Sequence, residues 1–292
     1  MEVIRLKGLQ LHLGEGVIWD AHRQMIHYVD IEGCCIYSCR EDGTVVHQLK
    51  THDVVGCIVL DASHRICYPM PDGLYRYHPE SGMVQRLCTW TIPDTLRFND
   101  GKAAPDGALF VGAMYRDQSD PRAKDGGFLY RFTPEAGLVP VRDSMSIPNG
   151  LCWSADHRTM YHIDTVTGQV MAYPYDPEAS TMGEGVAIVR LKEGEGGPDG
   201  MTIDAEGNLW VARWGGYAVN QYSGATGEAM ASIPVPDRNV SCCCFGGSDM
   251  KTLFITTAMD NEGKGGQVYS IRTETTGSAA HPLRWEREEN EP

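Results

Sequence analysis

The chain of 292 residues has no stretch that approaches the ~20 consecutive apolar residues of a membrane-spanning helix. Its first residues, "MEVIRLKGLQLHLGEG", lack the apolar core of a signal peptide, so the sequence reads as a cytoplasmic protein. Basic residues are also scarce: 25 Lys and Arg stand against 39 Asp and Glu, a formal charge of -14. That balance argues against a nucleic-acid or anionic-membrane partner, and no obligate protein partner is evident. There is no Gly-x-Ser-x-Gly elbow, and none of the histidines, His64, His157 and His162 included, pairs with an evident Ser or Cys nucleophile, which leaves a serine-hydrolase mechanism unsupported. "GEGEGG" is Gly-rich, but no Lys-Ser/Thr or helix completes a phosphate cradle, and it reads as a mobile loop. The ten cysteines include no two Cys-x-x-Cys pairs at zinc-ligand spacing. Crowded as Cys34-Cys35 and Cys242-Cys243-Cys244 in apolar surroundings, they read as small buried hydrophobes.

Long runs with apolar residues at helical period are missing too, which disfavours a doubly wound α/β fold. What the chain has instead is a repeat. "EGVIWDAHRQMIHYVD", "VGCIVLDASHRICYPM", "DGKAAPDGALFVGAM", "NGLCWSADHRTMYHID", "DGMTIDAEGNLWVAR" and "SCCCFGGSDMKTLFITT" each join two apolar runs through a polar turn. They recur about every 40–50 residues, the length of four strands with their turns, and stretches such as "GLYRYHPESGMVQRL" supply the further strands. The expectation is an all-β, six-bladed β-propeller of four-stranded antiparallel blades. It forms one domain over residues 1–280, with a flexible charged tail at 281–292. "EVIRL" has no hairpin of its own and is expected to add the outer strand of the last blade.

Pro-Asp-Gly occurs three times. Residues 71–73 and 105–107 fall between strands and are explained as turns. Asp199 instead opens a repeat, in register with Glu15 and Asn149, and the openings of successive units converge on the mouth of a propeller's channel. Two carboxylates brought together need compensation, most simply by a cation. Oxygen ligands favour Ca²⁺, Mg²⁺ or Mn²⁺ over a thiolate-loving ion, and three protein ligands leave room for water and substrate. In "LRFNDGK", Arg97 and Asn99 lie beside the same mouth and can hydrogen-bond a polyhydroxylated or carbonyl ligand. Asp100 occupies the opening register of its unit and is read as a supporting residue.

"LGEGVIWD", "RFNDGK", "IPNGLCWSAD", "PDGMTIDAEGNLWVARW" and "SCCCFGGSDMKTLFITTA" resemble the successive signatures of the regucalcin, senescence-marker-protein and gluconolactonase family, from about Gly14 to Ala258. The resemblance implies one divalent cation (Ca, Mg, Mn or Zn) held by Glu15, Asn149 and Asp199. It also implies a sugar lactone contacted by Arg97 and Asn99, and more weakly by Asp117 in "MYRD", where the family has Glu. The implied reaction is metal-assisted hydrolysis of an aldonolactone to the aldonic acid in carbohydrate catabolism, with Asp199 as ligand and base. The alternatives are a calcium-binding regulatory protein without turnover, a hydrolase of another ester or an organophosphate, and an interaction scaffold.

Overall fold

Short runs of Val, Ile, Tyr and Phe broken by Asp, Gly and Ser suit strands joined by tight turns. The computed structural model describes residues 2–285, and the only helical pieces among them are two three-residue 3-10 turns, Pro121–Ala123 and Thr165–Thr167. Every pairing between strands is antiparallel. In the first sheet Gly14–Asp20, Met25–Asp30, Cys35–Arg40 and Val45–Lys50 follow one another in chain order. Gly14–Asp20 is buried throughout, whereas Val45–Lys50 alternates between half-buried and exposed. The first strand of a unit is therefore the inner one and the last faces solvent.

The all-β propeller is confirmed, but its blades are not six separate sheets of four strands. Four blades stand alone, three of four strands and one of five, and the remaining strands form a single eight-stranded sheet. Trp214, the last residue of Asn208–Trp214, pairs with Asn239, the first of Asn239–Gly246, and this contact joins the fifth and sixth repeats. In the fourth repeat, Thr181–Met182 and Val186–Arg190 each pair separately with Gln169–Asp176, which gives the extra strand. Ladder hydrogen bonds, unlike a sequence repeat, do not have to stop at the unit boundary. The expected outer strand from the N-terminus is present: Ile4 and Arg5 pair with Ser270 and Tyr269.

Between neighbouring repeats the core is aromatic. Trp19 stacks on Phe254 at 5.6 Å, Phe110 meets Trp153 edge-on at 5.7 Å, and Trp210 meets Phe245 at 5.4 Å. All ten cysteines are free and eight are buried, as small hydrophobes in these layers. Burial pushes the thiols of Cys152 and Cys243 up to about 12.

The segment read as a flexible tail begins docked. Leu283 is 2% exposed, its N–H donates to Leu60 O at 2.7 Å, and Arg284 N–H donates to Gly107 O at 2.8 Å. Residues 286–292 of that segment lie outside the described residues. Leu283→Ala should cost about 2 kcal/mol in urea denaturation, the low end for a buried leucine, because a chain end can partly collapse onto the vacated space.

Candidate active site at the channel mouth

Five inner strands share one irregularity close to their first residues. The ladder slips between Glu15 and Ile18, Phe98 and Gly101, Pro148 and Leu151, Pro198 and Met201, and Val240 and Cys242. Each slip is a β-bulge, which bends the strand and re-aims the side chains it frees. Asn99, Asn149 and Asp199 are the first freed residues of their strands, and Glu15 immediately precedes the first bulge. Asn99, not Asp100, is thus the register equivalent of Asn149 and Asp199. Of the three Pro-Asp-Gly tripeptides, 105–107 is a turn with Gly107 at φ 84°, whereas Pro198-Asp199-Gly200 lies within the strand Gly197–Ile203.

Polar side chains tie these bulges together. Arg97 Nη1 donates to Asn99 Oδ1 at 2.7 Å and to Phe98 O at 3.0 Å, and Asn99 Nδ2 donates to Pro148 O in the next unit at 3.0 Å. Asn149 Nδ2 donates to Thr165 Oγ1 at 3.0 Å, and Thr165 Oγ1 in turn donates to Pro198 O at 2.8 Å. Thr165 therefore orients the amide of Asn149. Its place in the sequence, at the far end of the neighbouring strand, offers no signal of that role.

These bonds leave acceptors over. Asn149 Oδ1, Asp199 Oδ1 and Asp100 Oδ2 are buried with no hydrogen-bond partner, while Glu15 Oε2 accepts only Gly16 N–H, at 3.0 Å. Burial, then the charges of Asp199 and Asp100, hold the Glu15 carboxyl well above its usual range. Burial and then Asp100 do the same to Asp199, against the opposing hydrogen bonds from Asn149 and Gly200 N–H. Glu15, Asp100 and Asp199 therefore feel one another's charge, and Asn149 hydrogen-bonds Asp199. Burial pulls the Arg97 guanidinium down to about 10, against the opposing pull of Glu15 and other acids.

Unpaired acceptors without matching donors are what an oxygen-liganded cation requires. No group of three His, Cys, Asp or Glu side chains among the described residues is arranged to hold a metal ion; the trio here includes the amide of Asn149. Asp117 stands apart: it is exposed in the loop after Leu109–Tyr115, and its carboxylate accepts Ser119 N–H at 2.9 Å and Ser119 Oγ at 2.6 Å. A cleft of about 810 Å³ opens at the same strand ends, lined by His12, Gly196, Trp214, Arg238 and Asn261 among others. Neither Glu15 nor Asp199 lines it.

One histidine does meet a serine. His27 Nδ1 lies 2.8 Å from Ser38 Oγ, and His27 Nε2 lies 3.6 Å from Asp20 Oδ2. All three residues are at most 1% exposed, so no substrate reaches them and the group braces the first sheet.

The comparisons with known proteins fit this geometry. The model of the SMP-30/gluconolactonase/LRE-like region matches residues 13–259, most of the chain. The protein belongs to this family. Among its relatives, the candidate sugar lactone lactonase YvrE of Bacillus subtilis is 32% identical over 93% of this chain and 94% of its own length. The pentonolactonase XacC of Haloferax volcanii is 30% identical over 97% and 93%. The structure of a calcium-binding protein, regucalcin, from Agrobacterium tumefaciens superposes with a TM-score of 0.88 at 25% identity, covering 97% of each chain. Among the described residues no helix is long and apolar enough to cross a membrane.

Proposed function

We propose that the protein is a divalent-metal-dependent lactonase that hydrolyses a sugar lactone to its aldonic acid, in cytoplasmic carbohydrate catabolism. The observation that carries the reading is the set of buried acceptors on bulged inner strands: Asn149 Oδ1 and Asp199 Oδ1 are unpartnered, and Glu15 is poorly compensated. Glu15, Asn149 and Asp199 would hold the cation. When bound, it supplies Lewis-acid polarisation of the lactone carbonyl.

Asp199 accepts the proton of the attacking water as the new C–O bond forms. The ring ester C–O bond then breaks, and the ring oxygen leaves as a hydroxyl carrying a proton, so lactone and water together give the hydroxy acid. Arg97 and Asn99, tied to each other at 2.7 Å, hold carbonyl and hydroxyl oxygens in a fixed orientation. Asp117 bonds Ser119 through Oδ1, which leaves its other oxygen for substrate.

The same acceptors suit a protein that binds calcium without turnover, and the Agrobacterium relative is described as calcium-binding. A panel of aldonolactones, assayed by acid release, separates the two. We expect turnover that falls at least about 100-fold after chelation and returns with Ca²⁺, Mg²⁺, Mn²⁺ or Zn²⁺. Tight Ca²⁺ binding with no lactone hydrolysed under any of these metals would overturn the lactonase reading.

A further inference from the structure

The bridge between the fifth and sixth repeats sets two side chains next to each other. Trp214 and Asn239 are directly opposed partners on antiparallel strands, so their side chains leave the backbone on the same face. Both line the cleft of about 810 Å³. Trp214 is 36% exposed, and its indole makes no ring contact and no hydrogen bond among the described residues. Asn239 is only 9% exposed, yet its amide has no partner among the described residues either, so its donors and its acceptor are left for the cleft.

Asn239 also occupies a register already met. It stands one residue before Val240, the last paired residue ahead of the sixth repeat's bulge, as Arg97 stands one residue before Phe98 in the third. Arg97 and Asn99 do not line the cleft, and neither do Glu15 and Asp199. What fills the cleft is therefore a part of the ligand away from the reacting carbonyl.

The rest of the lining suits a neutral, hydroxylated group. The Arg238 guanidinium has no hydrogen bond and no ion pair among the described residues, and it shares the wall with two acids, Glu32 and Asp260, the second of which feels its charge. A wall of both signs does not match a net charge, whereas sugar hydroxyls donate to carboxylates and accept from arginine and amides. The indole face offers a flat apolar surface for the C–H face of a sugar ring, with a polar N–H at its edge. The volume lies within the ~300–1,000 Å³ of clefts that hold drug-sized ligands, larger than a single sugar ring.

We propose that this cleft is a sugar subsite, in which Trp214 and Asn239 bind a second, neutral sugar ring attached to the lactone, so that the substrate is the lactone of an oxidised disaccharide. The proposal rests on the lactonase reading for the reacting ring and on the cleft alone for the second ring. The reacting ring lies over Glu15, Asn149 and Asp199, and the second ring stacks on Trp214 while Asn239 and Arg238 hold its hydroxyls.

The test has two arms on the full chain. In the first, acid release from cellobiono-1,5-lactone is compared with that from glucono-1,5-lactone. We expect kcat/KM to favour the disaccharide lactone by about tenfold or more, mostly through KM. Trp214→Ala should remove about tenfold of that preference, Trp214→Phe should keep most of it, and Asn239→Ala decides should Trp214→Ala fail to fold. The second arm needs no turnover: cellobiose should shift the indole N–H resonance of Trp214 saturably, and glucose at equal concentration should shift it far less. The proposal is overturned if cellobiose gives no saturable shift at Trp214, or if the two lactones are turned over alike, or if the preference survives both Trp214→Ala and Asn239→Ala. Gluconolactone turnover without a cellobiose shift would sink the subsite and leave the lactonase reading standing. A saturable cellobiose shift with no lactone hydrolysed would uphold the sugar subsite and sink the lactonase reading.

Discussion

Asp199→Asn should lower kcat on the preferred lactone by about 10²–10⁴-fold, the range for loss of a positioned general base, with the fold intact. The substitution keeps the shape of the side chain and an acceptor oxygen for the proposed cation but removes proton affinity. An unchanged kcat in steady-state assays would exclude Asp199 as the base. In chelated protein the same change should stabilise the fold at neutral pH. The sign follows from the raised pKa: the folded carboxyl binds a proton that the unfolded one has already lost. Stability from this group is therefore full below the unfolded pKa, near the ordinary carboxyl value of 3.8, and declines as pH rises through the elevated folded one. Asn has no such dependence, so urea midpoints of chelated wild type should fall with rising pH more steeply than those of the variant. Loss of activity with gain of stability is the pattern of a site held under electrostatic strain for function.

Gly150→Ala should be among the most damaging single changes outside the aromatic core, at about 3 kcal/mol, the upper range for overpacking. A Cβ at Gly150 would lie 2.5 Å from Asp199 O and 2.8 Å from Met201 N, which are backbone atoms of the next inner strand. Gly200 stands likewise against the following unit, where its Cβ would meet Cys242 Cα at 2.8 Å and Sγ at 2.7 Å. Neighbouring strands approach too closely at the channel for any side chain, and backbone cannot step aside as a flexible side chain can. Because Asn149 and Asp199 sit on either side of this contact, kcat should fall together with the urea midpoint. A variant with wild-type stability would show that the sheets can slide apart freely.

Gly150 and Gly200 also show what sequence reasoning could and could not reach. Glycine after a polar residue reads as a turn, the local explanation that holds for Gly107. At 150 and 200 the cause is contact between strands of successive repeats, distant in the chain and invisible to any local rule. Asp100 illustrates the same limit. Its repeat aligns it with the unit openings, but the bulge between Phe98 and Gly101 puts Asn99 in that register. Asp117 is reachable only by analogy with the family, and Ser119, two residues on, bonds one of its two carboxylate oxygens. The merging of the fifth and sixth repeats through Trp214 and Asn239 was equally hidden, since one backbone pair leaves no periodic trace.

The sequence by itself determined the all-β class, the recurrence of hairpin units and the common register of Asn149 and Asp199, while Glu15 stands one position ahead of it. These follow from residue type and spacing, which period-two patterning and turn chemistry express locally. Tertiary structure alone decided which acceptors stay unpaired and how many sheets the ladders form. Those properties depend on partners brought from other units, and only the packed strands choose who bonds to whom.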